Sequence, residues 1–133
     1  MRKLLGVLCL VSLLGATTPD QSQRSPEDQV KLDYYLAGRV AGKPTRCIAP
    51  HKTGSPIGID DHTLLFRDGP RIWRNDLQAG RGCSDLVGRK SLAREGSGLR
   101  ICRGERLVVV DLSTNWTVGA CMIGDFVPYE KLH

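Results

Sequence analysis

Four cysteines, Cys47, Cys83, Cys102 and Cys121, follow an apolar N-terminal run at separations of 36, 19 and 19 residues, and they constrain this chain more than any other feature. The opening segment MRKLLGVLCLVSLLGATTP carries basic Arg2 and Lys3, then an apolar run from Leu4 to Leu14, then small residues. That order is the order of a secretory signal, and the run is short for a bilayer span. Ala16 and Thr18 suit the two small-residue pockets of a cleavage site, which places the cut after Thr18 and removes Cys9 with the leader. An even number of cysteines in an exported chain of this length reads as two disulfides, because an oxidising compartment permits them and a small core gains from restricting the unfolded chain. No pair forms Cys-x-x-Cys, so a thioredoxin-type exchange site is absent. The gaps are also too wide for the paired ligands of a structural zinc site. Three connectivities are open. If the first and last strands meet as the sheet closes, Cys47 pairs with Cys121 and Cys83 with Cys102.

The expected organisation is a signal peptide over residues 1–18, a flexible leader over 19–25 and a single disulfide-linked domain over 26–133. Order begins at Ser25-Pro26-Glu27-Asp28, where a serine cap precedes a proline suited to the first helical position and acids face the positive helix end. A helix from Pro26 to Ala37 follows, with Val30, Tyr34 and Ala37 on its apolar face and Leu32, Tyr35 and Leu36 widening it. Gly38 and Gly42, ahead of Pro44, end it. Beyond Pro44 the pattern shortens to that of strands: Arg46 to Ile48, His62 to Arg67, Arg71 to Asn75, Leu99 to Cys102, Arg106 to Leu112 and Trp116 to Ile123. Asp68-Gly69-Pro70 joins the second and third as a hairpin, and Arg103-Gly104-Glu105 joins the fourth and fifth. The run Leu107-Val108-Val109-Val110 reads as a strand buried on both sides, whereas Gly80 to Gly98 is too broken for a long regular element. The fold class is therefore mainly β: a small twisted barrel or half-barrel of about six short strands with one N-terminal helix.

The array LAGRVAG-KP-RCI at Leu36 to Ile48, TLLFRDG at Thr63 to Gly69, WRNDL at Trp73 to Leu77, Cys83, LRICRGE at Leu99 to Glu105 and ACMIGDFVPY at Ala120 to Tyr129 resembles a family of small exported proteins of sphingomonad-type bacteria whose function is unknown. The resemblance implies a periplasmic location and paired cysteines, and it implies no catalytic residue. The expected localisation is thus the periplasm or the exterior. Asn115-Trp116-Thr117 has the form of a glycosylation acceptor, and in that compartment it is simply a turn.

Charge is the remaining functional signal. The whole chain carries a formal +5, and loss of Arg2 and Lys3 lowers it to +3. Between Arg67 and Arg106 there are ten Arg or Lys against five Asp or Glu. In LFRDGPRIWRNDL, Leu65 to Leu77, alternation predicts that Phe66 and Trp73 pack while Arg67, Arg71 and Arg74 stay in water. These three arginines, with Trp73 and His62, are the candidate ligand contacts. Export separates the basic stretch from cytoplasmic nucleic acid, so no nucleic acid is expected and the partner is an envelope polyanion or an acidic protein. The mature chain has no expected membrane span. Asp60-Asp61-His62 offers a base beside carboxylates, which suggests the competing class: a small secreted hydrolase or nuclease using His62 with basic residues, such as Lys52 or Arg67 against a phosphate. No nucleophile elbow accompanies it, and neighbours on a strand point to opposite faces, so Asp60, Asp61 and His62 do not converge on one ion. The sequence assigns no catalytic residue, metal or cofactor. It favours a binding or envelope-associated module.

Overall fold

The computed structural model describes residues 24–49, 56–78, 90–94 and 98–133. The expected signal peptide, His51, Lys52 and Cys83 lie outside them. The helix α1 spans Pro26–Leu36, capped by the Ser25 side chain accepting the Asp28 amide at 3.1 Å. Ala37 closes it and Gly38, at φ 67°, reverses the chain where a side chain would be strained. Ten strands follow among the described residues: β1 Arg39–Ala41, β2 Cys47–Ile48, β3 Ile57–Asp60, β4 Thr63–Asp68, β5 Arg71–Asp76, β6 Lys90–Arg94, β7 Ile101–Cys102, β8 Arg106–Asp111, β9 Trp116–Met122 and β10 Phe126–Lys131.

They form three hydrogen-bonded sets: a five-stranded sheet in the order β1-β10-β5-β4-β3, a ribbon of β2 with β7, and a three-stranded sheet in the order β6-β8-β9. The domain is mainly β with one N-terminal helix, as expected, but the sheets do not close into a barrel. Their edges are managed instead by shortness and by bridges between sets. Thr45 bridges Phe126, and Gln78 bridges Met122.

The five-stranded sheet is packed on both faces because its central strands alternate between two cores. Leu64, Phe66 and Phe126 join Ile48, Leu77, Ile101, Leu107, Val109, Cys121 and Ile123, with Trp73 and Leu92 against them. Leu65 and Ile72 join Leu32 and Ile59 beneath the helix, flanked by Tyr35, Leu36, Ile57 and Tyr129. The helix therefore buries Leu32, with Tyr35 and Leu36 beside it, and turns Val30 and Tyr34 outward, 69% and 77% exposed. Both triads have helical spacing. Contact with β3, not periodicity, selects the Leu32 side.

Four strands beyond the six expected have physical reasons for their weak signals. β1 is three residues between glycines. β3 contains a register shift between Gly58 and Asp60, which spoils strict alternation. β6 occupies part of the stretch read as too broken. β10 contains Pro128, a residue that argues against an interior strand. The Pro128 carbonyl accepts the Gly42 amide at 2.7 Å, on the side of the short edge strand. A residue's amide and carbonyl point to the same side of a strand, so the donor that proline lacks is missing only there.

Two pairings differ from expectation. Ile101–Cys102 does not form a hairpin with β8; the chain turns at Gly104, φ 88°, and β7 pairs with distant β2. β8 instead lies between β6 and β9. It buries Leu107 and Val109 and leaves Val108 and Val110 half-buried, so it is covered fully on one face only. The hairpin at Gly69, φ 57°, and the turn at Asn115, φ 58°, stand where the sequence places them.

Candidate functional site

The cysteine pairing corrects the expected connectivity: Cys47 is joined to Cys102. They face each other across the β2–β7 ribbon with Cα atoms 4.0 Å apart, and Ile48 opposite Ile101 anchors that ribbon in the larger core. The expectation failed because β2, the strand that carries Cys47, pairs with β7, while Cys121 lies on β9 in a different sheet. Cys121 is also disulfide-bonded; Cys83 lies outside the described residues.

The hairpin β4–β5 carries the arginines and tryptophan singled out in the sequence. Phe66 is buried and faces half-buried Trp73 across the ladder. Arg67 is exposed and lies over the Tyr35 ring at 5.5 Å. Arg71 lies over Trp73 at 5.0 Å and is ion-paired with Glu130. The Trp73 indole donates to Asp68 at 3.3 Å. Arg74 departs from the expectation of a wetted side chain: it is only 20% exposed and donates to Asp76 at 3.0 Å. Burial opposes its charge, but Asp76 and then Tyr129 hold the guanidinium above its ordinary value. Two of the three candidate arginines are thus committed to carboxylates of their own domain.

His62 is separated from them. It is exposed in the β3–β4 turn, beside the Thr63–Asp76 end of the ladder, whereas Arg71 pairs with Asp68 at the other end. Six residues of strand put these ends about 17 Å apart. The Asp60 carboxylate is engaged elsewhere and does not orient its imidazole. Asp60 accepts Arg24 Nε at 2.5 Å through one oxygen and the His62 amide at 2.8 Å through the other. Burial would raise the Asp60 pKa; the Arg24 hydrogen bond, the His62 amide and the Arg24 charge outweigh it and hold the carboxyl below its ordinary value. Arg24 also donates to Thr63 Oγ1 at 2.7 Å, and that hydroxyl reaches Asp76 at 3.2 Å. A polar network therefore fastens the chain entering the helix to the sheet, and Arg24 and Ser25 belong to the folded part. Its chemistry is structural. Among the described residues, no group of three or more His, Cys, Asp or Glu is placed to hold a metal ion.

No family model, curated protein or solved structure matches this chain. No helix among the described residues is long and apolar enough to cross a membrane.

The sequence counts Arg100 and Arg103 within its basic stretch without singling them out and passes over Lys43 and Arg46; these four residues flank the disulfide. Arg46 and Arg103 are exposed on either side of the ribbon's end, with exposed Lys43 and Arg100 nearby along the same two segments. Arg103 donates to Asp125 at 3.0 Å. Lys43, Arg46 and Arg100 have no side-chain partner among the described residues, in contrast to the guanidinium–carboxylate pairs at Arg24, Arg71, Arg74 and Arg94. The signal was present: each cysteine of the bonded pair has an arginine on the side away from its isoleucine.

Proposed function

We propose that this chain is an exported, disulfide-linked binding module of the cell envelope, and that it engages a polyanion through exposed cations. The observation that carries this reading is the division of its positive charge. Arg24, Arg71, Arg74 and Arg94 are paired with carboxylates, while Lys43, Arg46 and Arg100 are exposed with no carboxylate partner among the described residues. Uncompensated surface charge contributes little to folding and much to long-range attraction of an opposite partner. The N-terminal segment and the paired cysteines support an oxidising compartment. Envelope polyanions are the abundant partners there, and Arg67, a ligand contact read from the sequence, lies exposed on the same domain as a secondary source of field.

The test is expression of the full chain with its leader, followed by fractionation and sedimentation with isolated envelope fragments. The expected product is periplasmic, lacks residues 1–18, has no free thiol and co-sediments with envelope in a salt-reversible manner. Retention in the cytoplasm, or indifference to envelope at low salt, would refute the reading.

A further inference from the structure

The segments Arg46-Cys47-Ile48 and Ile101-Cys102-Arg103 are mirror images in sequence, and antiparallel pairing of β2 with β7 converts the mirror into matched rungs. Ile48 faces Ile101 inside the core, and Cys47 faces Cys102 in the disulfide. The Arg103 amide donates to the Arg46 carbonyl at 2.7 Å, which carries the ladder one rung further and sets Arg46 opposite Arg103. Like charges directly opposed destabilise an antiparallel pair. A ribbon of two-residue strands has little hydrogen bonding to resist that repulsion. The covalent bond on the adjacent rung and the isoleucine pair behind it hold the two cations together regardless. Asp125 offsets part of the charge on Arg103, but this ion pair is open to water, with its two side chains 47% and 42% exposed, so it is screened and weak. Arg46 has no side-chain partner among the described residues.

Resting on the binding reading above, we propose that Arg46 and Arg103 form a two-guanidinium clamp for phosphate groups of a polyanion. Each guanidinium presents a planar fork of donors, and a carboxylate that meets one fork with both oxygens has only its remaining lone pairs, in the same plane, for a second. Tetrahedral phosphate directs its oxygens to more than one side and can accept from two forks at once, which is the recognition for which arginine is better suited than lysine. Backbones on opposing rungs are about 5 Å apart, so two long side chains converge on one such group without rearrangement of the ribbon. Asp125 is then the internal acceptor that a phosphate replaces at Arg103. Lys43 and Arg100 add to the local field. The disulfide has a consequence beyond stability: it holds two mutually repelling donors in place before the ligand arrives, so that the ligand relieves repulsion on binding.

The experiment titrates the exported, oxidised protein with long-chain inorganic polyphosphate and with polygalacturonate over a range of salt, for the parent, Arg46→Glu, Arg103→Gln and the double variant Arg71→Gln/Arg74→Gln. The parent should prefer polyphosphate, with affinity falling as salt rises. Arg46→Glu should weaken polyphosphate binding about tenfold or more, while its urea midpoint stays equal to or above that of the parent because a like-charge contact is gone. Arg103→Gln should weaken binding several-fold, and the hairpin double variant should stay within about twofold, since its guanidinium groups are already paired. Unchanged polyphosphate binding by Arg46→Glu, with the parent still bound, overturns the clamp and leaves the polyanion reading standing. Preference for polygalacturonate overturns the phosphate assignment. Binding of neither polymer by the parent overturns the polyanion reading itself, and the clamp with it.

Discussion

Replacement of Asn75 by alanine should be among the most damaging single changes in this domain, although asparagine in a strand draws no attention in the sequence. Asn75 is fully buried in β5. Its Nδ2 donates to the Gly124 carbonyl at 2.9 Å and to the Asp125 carbonyl at 3.3 Å, while its Oδ1 accepts the Gly124 amide at 2.9 Å. The carboxamide thus closes both backbone groups of a buried residue in the connection between β9 and β10. The two chains approach so closely that a Cβ at Gly124 would collide with the Asp76 carbonyl oxygen. Truncation to alanine leaves the Gly124 amide and carbonyl buried without their partner, at about 1 to 3 kcal/mol each. Part of that is recovered where water enters the gap, so a loss of about 3 to 5 kcal/mol is expected, against the 5 to 15 kcal/mol typical of a whole domain. Urea unfolding of the oxidised protein measures it, with the slope of free energy against denaturant checked for constancy. Asn75→Asp is the informative companion. It keeps the shape and the acceptor for Gly124 but sets a carboxylate oxygen against two carbonyls, so it should be at least as unstable at pH 7 and should recover in acid, where a protonated carboxyl donates again. A loss under about 1 kcal/mol for alanine, or an aspartate variant equal to the parent at pH 7, would refute the account of Asn75 as a buried clamp.

Trp73→Ala should cost about 2 to 4 kcal/mol in the same assay, less than for a fully buried indole, because Trp73 is half-buried against Phe66 and its loss also frees Arg71 from the ring. An unchanged urea midpoint would show that the ring does not pack the core. Removing the ribbon disulfide with the double change Cys47→Ser/Cys102→Ser opens a loop of sequence separation 55 and should lower stability by about 4 kcal/mol in the chain-entropy account. A midpoint shift too small to resolve would show that the unfolded chain is not appreciably restricted by this bond. Asp60→Asn should destabilise by about 1.5 to 3 kcal/mol at pH 7, since it removes a charge-assisted bond to Arg24. Because the folded-state pKa of Asp60 is depressed, its stabilising contribution is present above the ordinary value of 3.8 and is lost as pH falls through the folded value. The gap between parent and Asp60→Asn should therefore narrow in acid, and a gap independent of pH would exclude this linkage.

Several parts of this protein were legible in the chain because their causes are local. Ser25 before Pro26 starts a helix by supplying an acceptor to the first turn, and Gly69 and Asn115 take up positive φ where the backbone must reverse. Phe66 and Trp73 share a face because strand side chains alternate. The basic balance and the even number of cysteines after the apolar N-terminal run are likewise properties of composition. None of these needs knowledge of which distant segment lies alongside. The rest depended on contacts between segments remote in sequence, and there the local pattern allowed more than one answer. Leu32 and Val30 are both at helical spacing, and only docking on β3 buries the first. Ile101-Cys102 is as apt for a hairpin with β8 as for pairing with β2. The buried Ile48–Ile101 rung and the disulfide beside it decide the matter. Arg74 reads as solvated until the sheet places Asp76 and Tyr129 around it. Arg46 and Arg103 are unremarkable surface residues until antiparallel register sets them opposite each other. Residue type determined what each segment could do, while pairing across 55 residues of chain decided what it meets, because strand register is set by burial summed over the whole sheet and not by any single segment.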